Sequence, residues 1–251
     1  MTKPPDYWSQ ERMEMARFLP SFYRTVIDIG CGEGIFFNKL KAKCEVWGVE
    51  PNEIAANLAS KRMQNILIGK YSEVESQIPE RYFDLVICND VIEHLEDVDG
   101  FLNSIKKKMK DGAFLVGSVP NVRFYGNLKS LLIGRDWEYM ESGILDKDHL
   151  RFFTERSLRR SLERHGFVID LFKGINKPEF HKFSLGGLIR SLLLNGAIAI
   201  TLGSYSDIRY LQFGFRAQKN EGRKIDSIRY NANIANPMSR EGKVCKNPQK
   251  I

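Results

Sequence analysis

Short apolar runs alternate with amphipathic stretches along most of this chain, and the alternation predicts an α/β fold. The apolar runs are bounded by polar or glycine-containing turns, as buried strands are. They predict strands at 25–29, 45–49, 65–69, 83–89 and 113–119. The run at 83–89, FDLVICN, is apolar almost throughout, which is typical of a central strand in a parallel sheet.

Helical periodicity fills the intervals between these strands. It predicts helices at 34–42, 52–63, 98–109 and 154–165, with Asn52 and Thr154 as N-caps. An amphipathic helix at 6–19, ended by Pro20, is expected to cover a ligand cleft. The segments 167–172 and 210–215 read as a terminal antiparallel pair. The predicted fold is therefore a Rossmann-like, doubly wound sheet of seven strands, six parallel and one antiparallel, with helices on both faces.

Two segments are additional to the strands and helices of this predicted fold. The connection 121–153 is far longer than usual and rich in aromatic residues, so we expect a substrate lid. The segment 183–204 is apolar, with Arg190 as its only charge, but several glycines and Asn195 interrupt it. We expect a helix packed on the domain, with a peripheral membrane contact as the alternative. The predicted organisation is an N-terminal helix at 1–24, a main α/β domain at 25–217 and a tail at 218–251.

Charge and cysteine content narrow the functional classes. The formal net charge is +7, but 218–251 alone contains eight Lys/Arg against three Asp/Glu. A nearly neutral domain with a basic, aromatic-poor tail is not typical of a nucleic-acid enzyme, so we expect no nucleic-acid partner. The tail composition predicts disorder. The four cysteines form no CxxC pair and the N-terminus lacks an apolar signal run, so a cytoplasmic location is expected, peripheral to the membrane if 183–204 or the tail binds lipid.

The most informative motif is VIDIGCGEG at 26–34. Asp28 precedes three glycines at alternate positions, Gly30, Gly32 and Gly34, where a strand turns into a helix. Such a turn allows a ligand to lie against backbone N–H groups. Glu50 ends the second strand, twenty positions after Gly30, where an acid can accept hydrogen bonds from both hydroxyls of a bound ribose.

A second motif, NDVIEHL, follows the fourth strand at 89–95. If it begins a helix, then Asp90, Glu93 and His94 share one face, and this face meets the cleft. Carboxylates with an imidazole form a plausible metal site of the oxygen-and-imidazole type. His149, in DKDHLRFFT at the end of the lid, is placed to fold back over this site. His149 and His94 are also the candidate general bases, and Glu93-His94 could instead cap or brace a helix.

The acidic-x-G-x-G-x-G motif resembles motif I of the class I S-adenosylmethionine (SAM) methyltransferases. From Val26 to Phe172 the chain resembles enzymes of bacterial polysaccharide and glycolipid clusters and the ubiquinone-biosynthesis O-methyltransferases. The resemblance implies that SAM is the cofactor. It also implies the following SAM-binding residues: Asp28, Gly30, Cys31, Gly32, Gly34, Glu50, Asn52, Lys70, Tyr71, Asn89 and Asp90. The adenine-side acid that usually follows the third strand is absent, since Lys70 stands there.

A similarity to the small-RNA 2′-O-methyltransferases implies Mg²⁺. Carried over by residue, its ligands are Asp90, Glu93, His94 and His149, with Asp90 shorter than the usual Glu. The expected activity is O-methylation of a hydroxyl in a sugar, glycolipid or polysaccharide intermediate. A small phenolic or quinone-like acceptor is the first alternative. A SAM-binding scaffold without catalysis is the second.

Overall fold

A mixed sheet of seven strands forms the framework of the computed structural model, which describes residues 8–178, 196 and 205–220. Within these ranges the strand order is β3-β2-β1-β4-β5-β7-β6. The strands are β1 Thr25–Ile29, β2 Glu45–Glu50, β3 Asn65–Ile68, β4 Phe83–Asn89, β5 Met109–Pro120, β6 Phe167–Ile175 and β7 Gln212–Lys219. Only β7 runs antiparallel to its neighbours, so the predicted sheet of six parallel strands and one antiparallel strand is confirmed.

The central strands are buried on both faces because helices cover each side of the sheet. In β1, Val26 packs on one side of the sheet, and Ile27 packs on the other. The partner strand β4 does the same, with Leu85 opposite Val26 and Val86 opposite Ile27. This two-sided burial explains why the strands read as continuous apolar runs. The chain reverses its winding direction between β1 and β4, which opens a crevice at their carboxyl ends.

The helices are short, and several are of the 3-10 type. The α-helices are α1 Glu53–Ala59, α2 Tyr71–Val74, α3 Val98–Lys108, α4 Tyr125–Lys129 and α5 Glu155–Arg164. The 3-10 segments are Met13–Phe18, Ile35–Lys39, Glu75–Gln77, Ile92–His94 and Ser206–Arg209, and Ser130–Gly134 is a π-helix. Both predicted N-caps are confirmed: Asn52 accepts from the Ala55 amide, and Thr154 accepts from the Ser157 amide.

The first two predicted helices are wrong in type and extent. Residues 6 and 7 of the helix expected at 6–19 lie outside the described residues; over 8–19 the helix is reduced to the 3-10 segment Met13–Phe18, because Arg12 adopts a left-handed conformation with φ of 47°. The helix expected at 34–42 is the 3-10 segment Ile35–Lys39. At the other end of the domain, Gln218 and Lys219 belong to β7 rather than to the tail.

The insertion 121–153 forms a lobe beside the crevice. A bridge between Asn121 and Phe153 joins its two ends, and Trp137 packs edge-on against Phe152 with ring centroids 5.4 Å apart. Residues 183–204, except Gly196, and 221–251 lie outside the described residues, so the predictions for them remain predictions. In the part of the chain that is described, none of the helices has both the length and the apolar character needed to span a membrane.

Candidate functional site

A cleft of about 1340 Å³ lies at the carboxyl ends of the central strands. Its floor is the glycine loop after β1, the end of β2 and the loop after β4. Its outer walls are the segment 8–12, the start of α2 and residues 142–149 of the insertion. The volume exceeds that of an ordinary drug-sized pocket, so the cleft has room for two substrates.

The glycine loop requires glycine for its backbone shape. Gly30, Gly32 and Gly34 have φ of 71°, 55° and 73°, in the left-handed region. A Cβ on Gly30 would lie 2.7 Å from a methyl of Val91, and a Cβ on Gly32 would lie 2.5 Å from the Trp8 carbonyl oxygen. A side chain at Gly30 or Gly32 would therefore clash with protein atoms on either side of the cleft.

The amides of this loop are bound within the protein. The Gly30 and Cys31 amides donate to the Val49 carbonyl, and the Gly32 amide donates to the Glu50 carboxylate at 2.9 Å. The expectation that a ligand lies on bare N–H groups at a helix start is thus not met, because the loop folds back on β2. The loop instead shapes the floor and holds Glu50 in place.

Glu50 is the best-oriented polar group at this end of the cleft. It is buried, and its two oxygens accept from the amides of Gly32 and Asn52, at 2.9 and 2.8 Å. Each carboxylate oxygen can accept a second hydrogen bond, so the pair can still receive two ribose hydroxyls. Burial raises the pKa of Glu50, and the two amides oppose this shift.

Asp28 lies beside Glu50 and is 4 % exposed. Burial, reinforced by the neighbouring charge of Glu50, raises the pKa of Asp28 to about 8. The Cys31 thiol nearby is buried, which raises its pKa and makes it a poor nucleophile. This end of the cleft therefore disfavours negative charge unless a cation is bound there.

The Asp28→Asn variant is expected to gain stability relative to the unliganded wild type as pH rises. An acid with a raised pKa stabilises the folded state below its unfolded pKa, near 4, and loses this stabilisation as pH rises towards 8. Asparagine does not titrate, so the difference between the two proteins should grow by about 1–3 kcal/mol between pH 5 and pH 9. Urea unfolding at both pH values measures it, with Glu80→Gln as an exposed control. An equal difference at both pH values would contradict the assignment.

The adenine end of the predicted site is only partly polar. Tyr71 lines the cleft, packs edge-on against Phe101 and hydrogen-bonds through its hydroxyl to Ser104. Lys70 also lines the cleft, and its amide donates to Glu73 at the start of α2. The Asn89 side-chain oxygen lies buried at the cleft without a hydrogen-bond partner among the described residues. A ligand donor would satisfy this oxygen.

Glu93, His94 and His149 meet at the opposite end of the cleft. One potential ligand atom of each residue lies within 4.8 Å of the others. Glu93 is 0 % exposed, and neither of its carboxylate oxygens has a hydrogen-bond partner in the described structure. Burial raises the pKa of Glu93 to about 8, and the charge of Asp146 adds to this effect. An unpartnered buried carboxylate beside two imidazoles is a strong indication of a functional site.

Backbone carbonyls orient both imidazoles. His149 Nδ1 lies 3.0 Å from the Ile144 carbonyl oxygen, and His94 Nδ1 lies 3.0 Å from that of Asp148. A carbonyl only accepts, so each Nδ1 carries the proton and the lone pair is on Nε2. This tautomer is the one that a metal ligand or a general base uses.

The chain has the features of a known family. Residues 6–171 match the family model described as a methyltransferase domain. The chain belongs to the methyltransferase domain family. Its seven-stranded sheet and acidic-x-G-x-G-x-G loop are those of the class I SAM-dependent methyltransferases, so the resemblance seen in the sequence is confirmed.

Relatives and solved structures agree with this family. A ubiquinone biosynthesis O-methyltransferase of Rhodopseudomonas palustris (strain BisB18) is 30 % identical over 169 residues, covering 64 % of this chain and 65 % of the relative. The enzyme of the same name from Nitrobacter winogradskyi is 27 % identical over 168 residues, covering 60 % and 59 %. The match thus spans less than two thirds of these relatives. A SAM-dependent methyltransferase from Archaeoglobus fulgidus shares the fold, with a TM-score of 0.56, 23 % identity and coverage of 84 % and 92 %.

The methyltransferase cleft omits two residues predicted to bind SAM. Gly34 packs against Ala59 of α1, and Asn52 is occupied as the N-cap of α1, so neither lines the cleft. The prediction followed the spacing of the motif. In the structure the part of the motif that lines the cleft ends at Gly32, two residues earlier, because the last glycine, Gly34, packs against α1.

Asp90 also departs from its predicted role as a metal ligand. Its carboxylate pairs with the Arg12 guanidinium and accepts from Ser118 and from Gln212. NDVIEHL forms the short 3-10 segment Ile92–His94 instead of an α-helix, so the face expected to join Asp90 with Glu93 does not exist. Asp90 still lines the cleft, where it anchors the N-terminal segment.

The N-terminal segment lines this methyltransferase cleft, as the sequence predicted, but sequence reasoning did not single out the residues that make the contacts. Trp8 reaches the glycine loop through its carbonyl, which accepts from the Glu33 amide at 3.0 Å. Arg12 is largely buried and binds Glu14, Asp90 and Ser118. The polar stretch before Met13 is the one sequence signal for Trp8 and Arg12. It does not indicate that Arg12 binds residues more than seventy positions away, such as Asp90.

Proposed function

We propose that this chain transfers a methyl group from SAM to a hydroxyl group, as a SAM-dependent O-methyltransferase. One observation carries the proposal: a single cleft contains both the Glu50 carboxylate, suited to a ribose, and the Glu93–His94–His149 cluster, suited to activating a hydroxyl. A binding scaffold would need only the first of these. The two ends together fit a donor and an acceptor bound side by side.

A small phenolic or quinone-like molecule is the acceptor class that we favour. The relatives named above are ubiquinone biosynthesis O-methyltransferases. The comparisons give no support to the sugar, glycolipid or polysaccharide acceptor expected from the sequence, nor to the membrane contact. Tyr71 and Phe101 line the cleft, and flat aromatic acceptors suit such side chains because ring faces and edges pack favourably.

The proposed mechanism is an in-line displacement. The acceptor oxygen attacks the methyl carbon of SAM, the sulfur–methyl bond breaks as the oxygen–methyl bond forms, and S-adenosylhomocysteine leaves. When no metal ion is bound, the acceptor proton passes to Nε2 of His149, whose Nδ1–H donates to the Ile144 carbonyl. Glu50 holds the donor in place, and the Ile144 and Asp148 carbonyls fix the two imidazoles. Positioning and proton removal are the protein's main contributions.

The cluster also fits a divalent metal ion. Glu93 would supply an oxygen ligand, and His94 and His149 would each supply a nitrogen ligand. A donor set of two imidazoles and one carboxylate suits zinc, manganese or ferrous iron better than Mg²⁺, which prefers oxygen ligands. A bound ion would lower the pKa of the acceptor hydroxyl and orient it.

The purified enzyme is expected to contain about one transition metal ion per chain. The expectation follows from the unpartnered Glu93 carboxylate and the orientation of both histidines. Mass spectrometry of the metal content measures it directly, and His149→Asn should lose the metal while His165→Asn retains it. Wild-type protein that stays metal-free after incubation with zinc or manganese, and is fully active in chelator, would leave only the general-base role.

The proposed activity is tested by incubating the full chain with methyl-labelled SAM and a catechol. A labelled monomethyl ether formed together with S-adenosylhomocysteine is the expected result. Tight binding of SAM without transfer to catechols, phenols or any sugar hydroxyl would instead favour the scaffold.

A further inference from the structure

The cleft is acidic although the chain is basic. Ten carboxylates line it among the described residues, against Arg12 and Lys70 as the only lining arginine and lysine in that part of the chain. The formal net charge of the whole chain is +7. The acidity is therefore a local property of the cleft.

Four of these carboxylates form an acidic wall, which we define as Glu73, Glu75, Glu96 and Asp97. None of the four belongs to an ion pair within the described residues. Glu73 and Asp97 accept from the backbone amides of Lys70 and Gly100, which leaves their charge uncompensated. Glu96 and Asp97 directly follow the His94 turn, so the wall reaches the catalytic end of the cleft.

The nearby arginines do not form ion pairs with the wall carboxylates among the described residues. Arg12 is bound to Asp90 and Glu14. The Arg151 guanidinium donates to the carbonyls of Leu150 and Glu96, so it keeps its charge, but it does not line the cleft.

The buried Glu93 side chain, which has no partner among the described residues, lines the same cleft. Apart from Asp28 and Glu93, whose raised pKa values favour the neutral acid, eight lining carboxylates remain against Arg12 and Lys70 among the described residues. An anionic substrate would therefore enter a cleft in which negative groups outnumber positive ones.

We propose that the acidic wall selects an acceptor without an anionic group and favours a cationic acceptor over a neutral one. The proposal rests on the proposed O-methyltransferase function and names its substrate class. Charge focused in a cleft with low-dielectric walls acts on ligands more strongly than it would in water. Like charges placed together are an effective way to reject a wrong substrate. Phosphorylated sugars and lipid-linked phosphates are thereby disfavoured.

Three catechols of matched size test the proposal: 3,4-dihydroxybenzylamine, 3,4-dihydroxybenzyl alcohol and 3,4-dihydroxybenzoate. The full chain is expected to methylate the amine with a kcat/KM at least about tenfold above that of the benzoate at low ionic strength, with the alcohol between them. High salt should reduce the ratio. A benzoate that is methylated as well as the amine would overturn the proposal.

A pair of double variants assigns the effect to the wall. Glu75→Gln/Glu96→Gln should reduce the amine-to-benzoate ratio by about threefold, since two of the repelling charges are lost. Glu80→Gln/Glu163→Gln removes the same charge from exposed positions outside the cleft and should leave the ratio unchanged. Equal ratios in both variants and in wild type would overturn the role of the wall.

A binding measurement separates this proposal from the proposed function. SAM carries a net positive charge and S-adenosylhomocysteine carries none. The association rate of SAM should therefore fall with salt in wild type, and fall less in Glu75→Gln/Glu96→Gln. If no catechol is methylated, the proposed acceptor class fails. The salt dependence of the SAM association rate still tests whether the cleft attracts cations. A rate that does not change with salt would overturn the inference.

Discussion

The His149→Ala variant is expected to lose methyl transfer by about 10²–10⁴-fold in kcat while its Kd for SAM stays near the wild-type value. His149 is buried at the end of the cleft formed by the insertion, away from Glu50, and its ring is fixed by the Ile144 carbonyl. As a general base it accepts the acceptor proton, and as a metal ligand it holds the ion that acidifies the hydroxyl. The alanine substitution removes both roles, and neither role contributes to the binding of SAM. Single-turnover kinetics with labelled SAM and calorimetric titration measure the two quantities separately.

His165→Ala is the matched control for this experiment. His165 is the C-cap of α5 and its Nδ1 lies 2.7 Å from the Ser161 carbonyl, outside the cleft. Its loss should leave kcat unchanged within about twofold. A loss of activity below tenfold for His149→Ala, with both variants folded, would show that another group activates the acceptor.

The Glu50→Gln variant is expected to weaken SAM binding by about 10–100-fold, as the loss of hydrogen bonds to a charged acceptor typically does. The amide of glutamine also turns a donor towards the Gly32 or Asn52 amide, where the wild type has an acceptor. The floor of the cleft and the ribose site are therefore affected together. Calorimetry with SAM and with S-adenosylhomocysteine should show the same loss, because both ligands contain the ribose.

Glu45→Gln provides the control on the same strand. Glu45 begins β2, at the end away from the cleft, and its carboxylate binds Trp47 and Tyr82. SAM affinity should not change. Equal affinity of Glu50→Gln and wild type would remove Glu50 from the donor site and would leave the family's ribose acid without a counterpart here.

The strands could be predicted from the sequence because local composition determines them. β1 and β4 have the predicted limits, since each is an apolar run buried on both faces. Glu50 and the glycine loop could also be predicted from the sequence. A doubly wound fold places the end of its second strand beside the turn that follows the first strand, so an acid at the end of the second strand lies next to the glycine loop. The N-caps at Asn52 and Thr154 were found because capping needs only a short polar side chain at a helix start.

Features that depend on distant contacts could not be predicted. The helix expected at 6–19 is interrupted at Arg12, whose conformation is supported by partners in β5 and in the loop after β4. Asp90 looked like a ligand because nothing near it in sequence reveals Arg12, Ser118 or Gln212 as its partners. Glu93, His94 and His149 do converge, but through a 3-10 turn and the fold of the lid instead of one helix face.

The central claim is that the cleft at the carboxyl ends of β1, β2 and β4 is a SAM site. Isothermal titration of the full chain with SAM tests it most directly. We predict saturable binding of one SAM per chain, displaced by S-adenosylhomocysteine. A chain that is folded by circular dichroism and releases no heat with either nucleoside would contradict the claim.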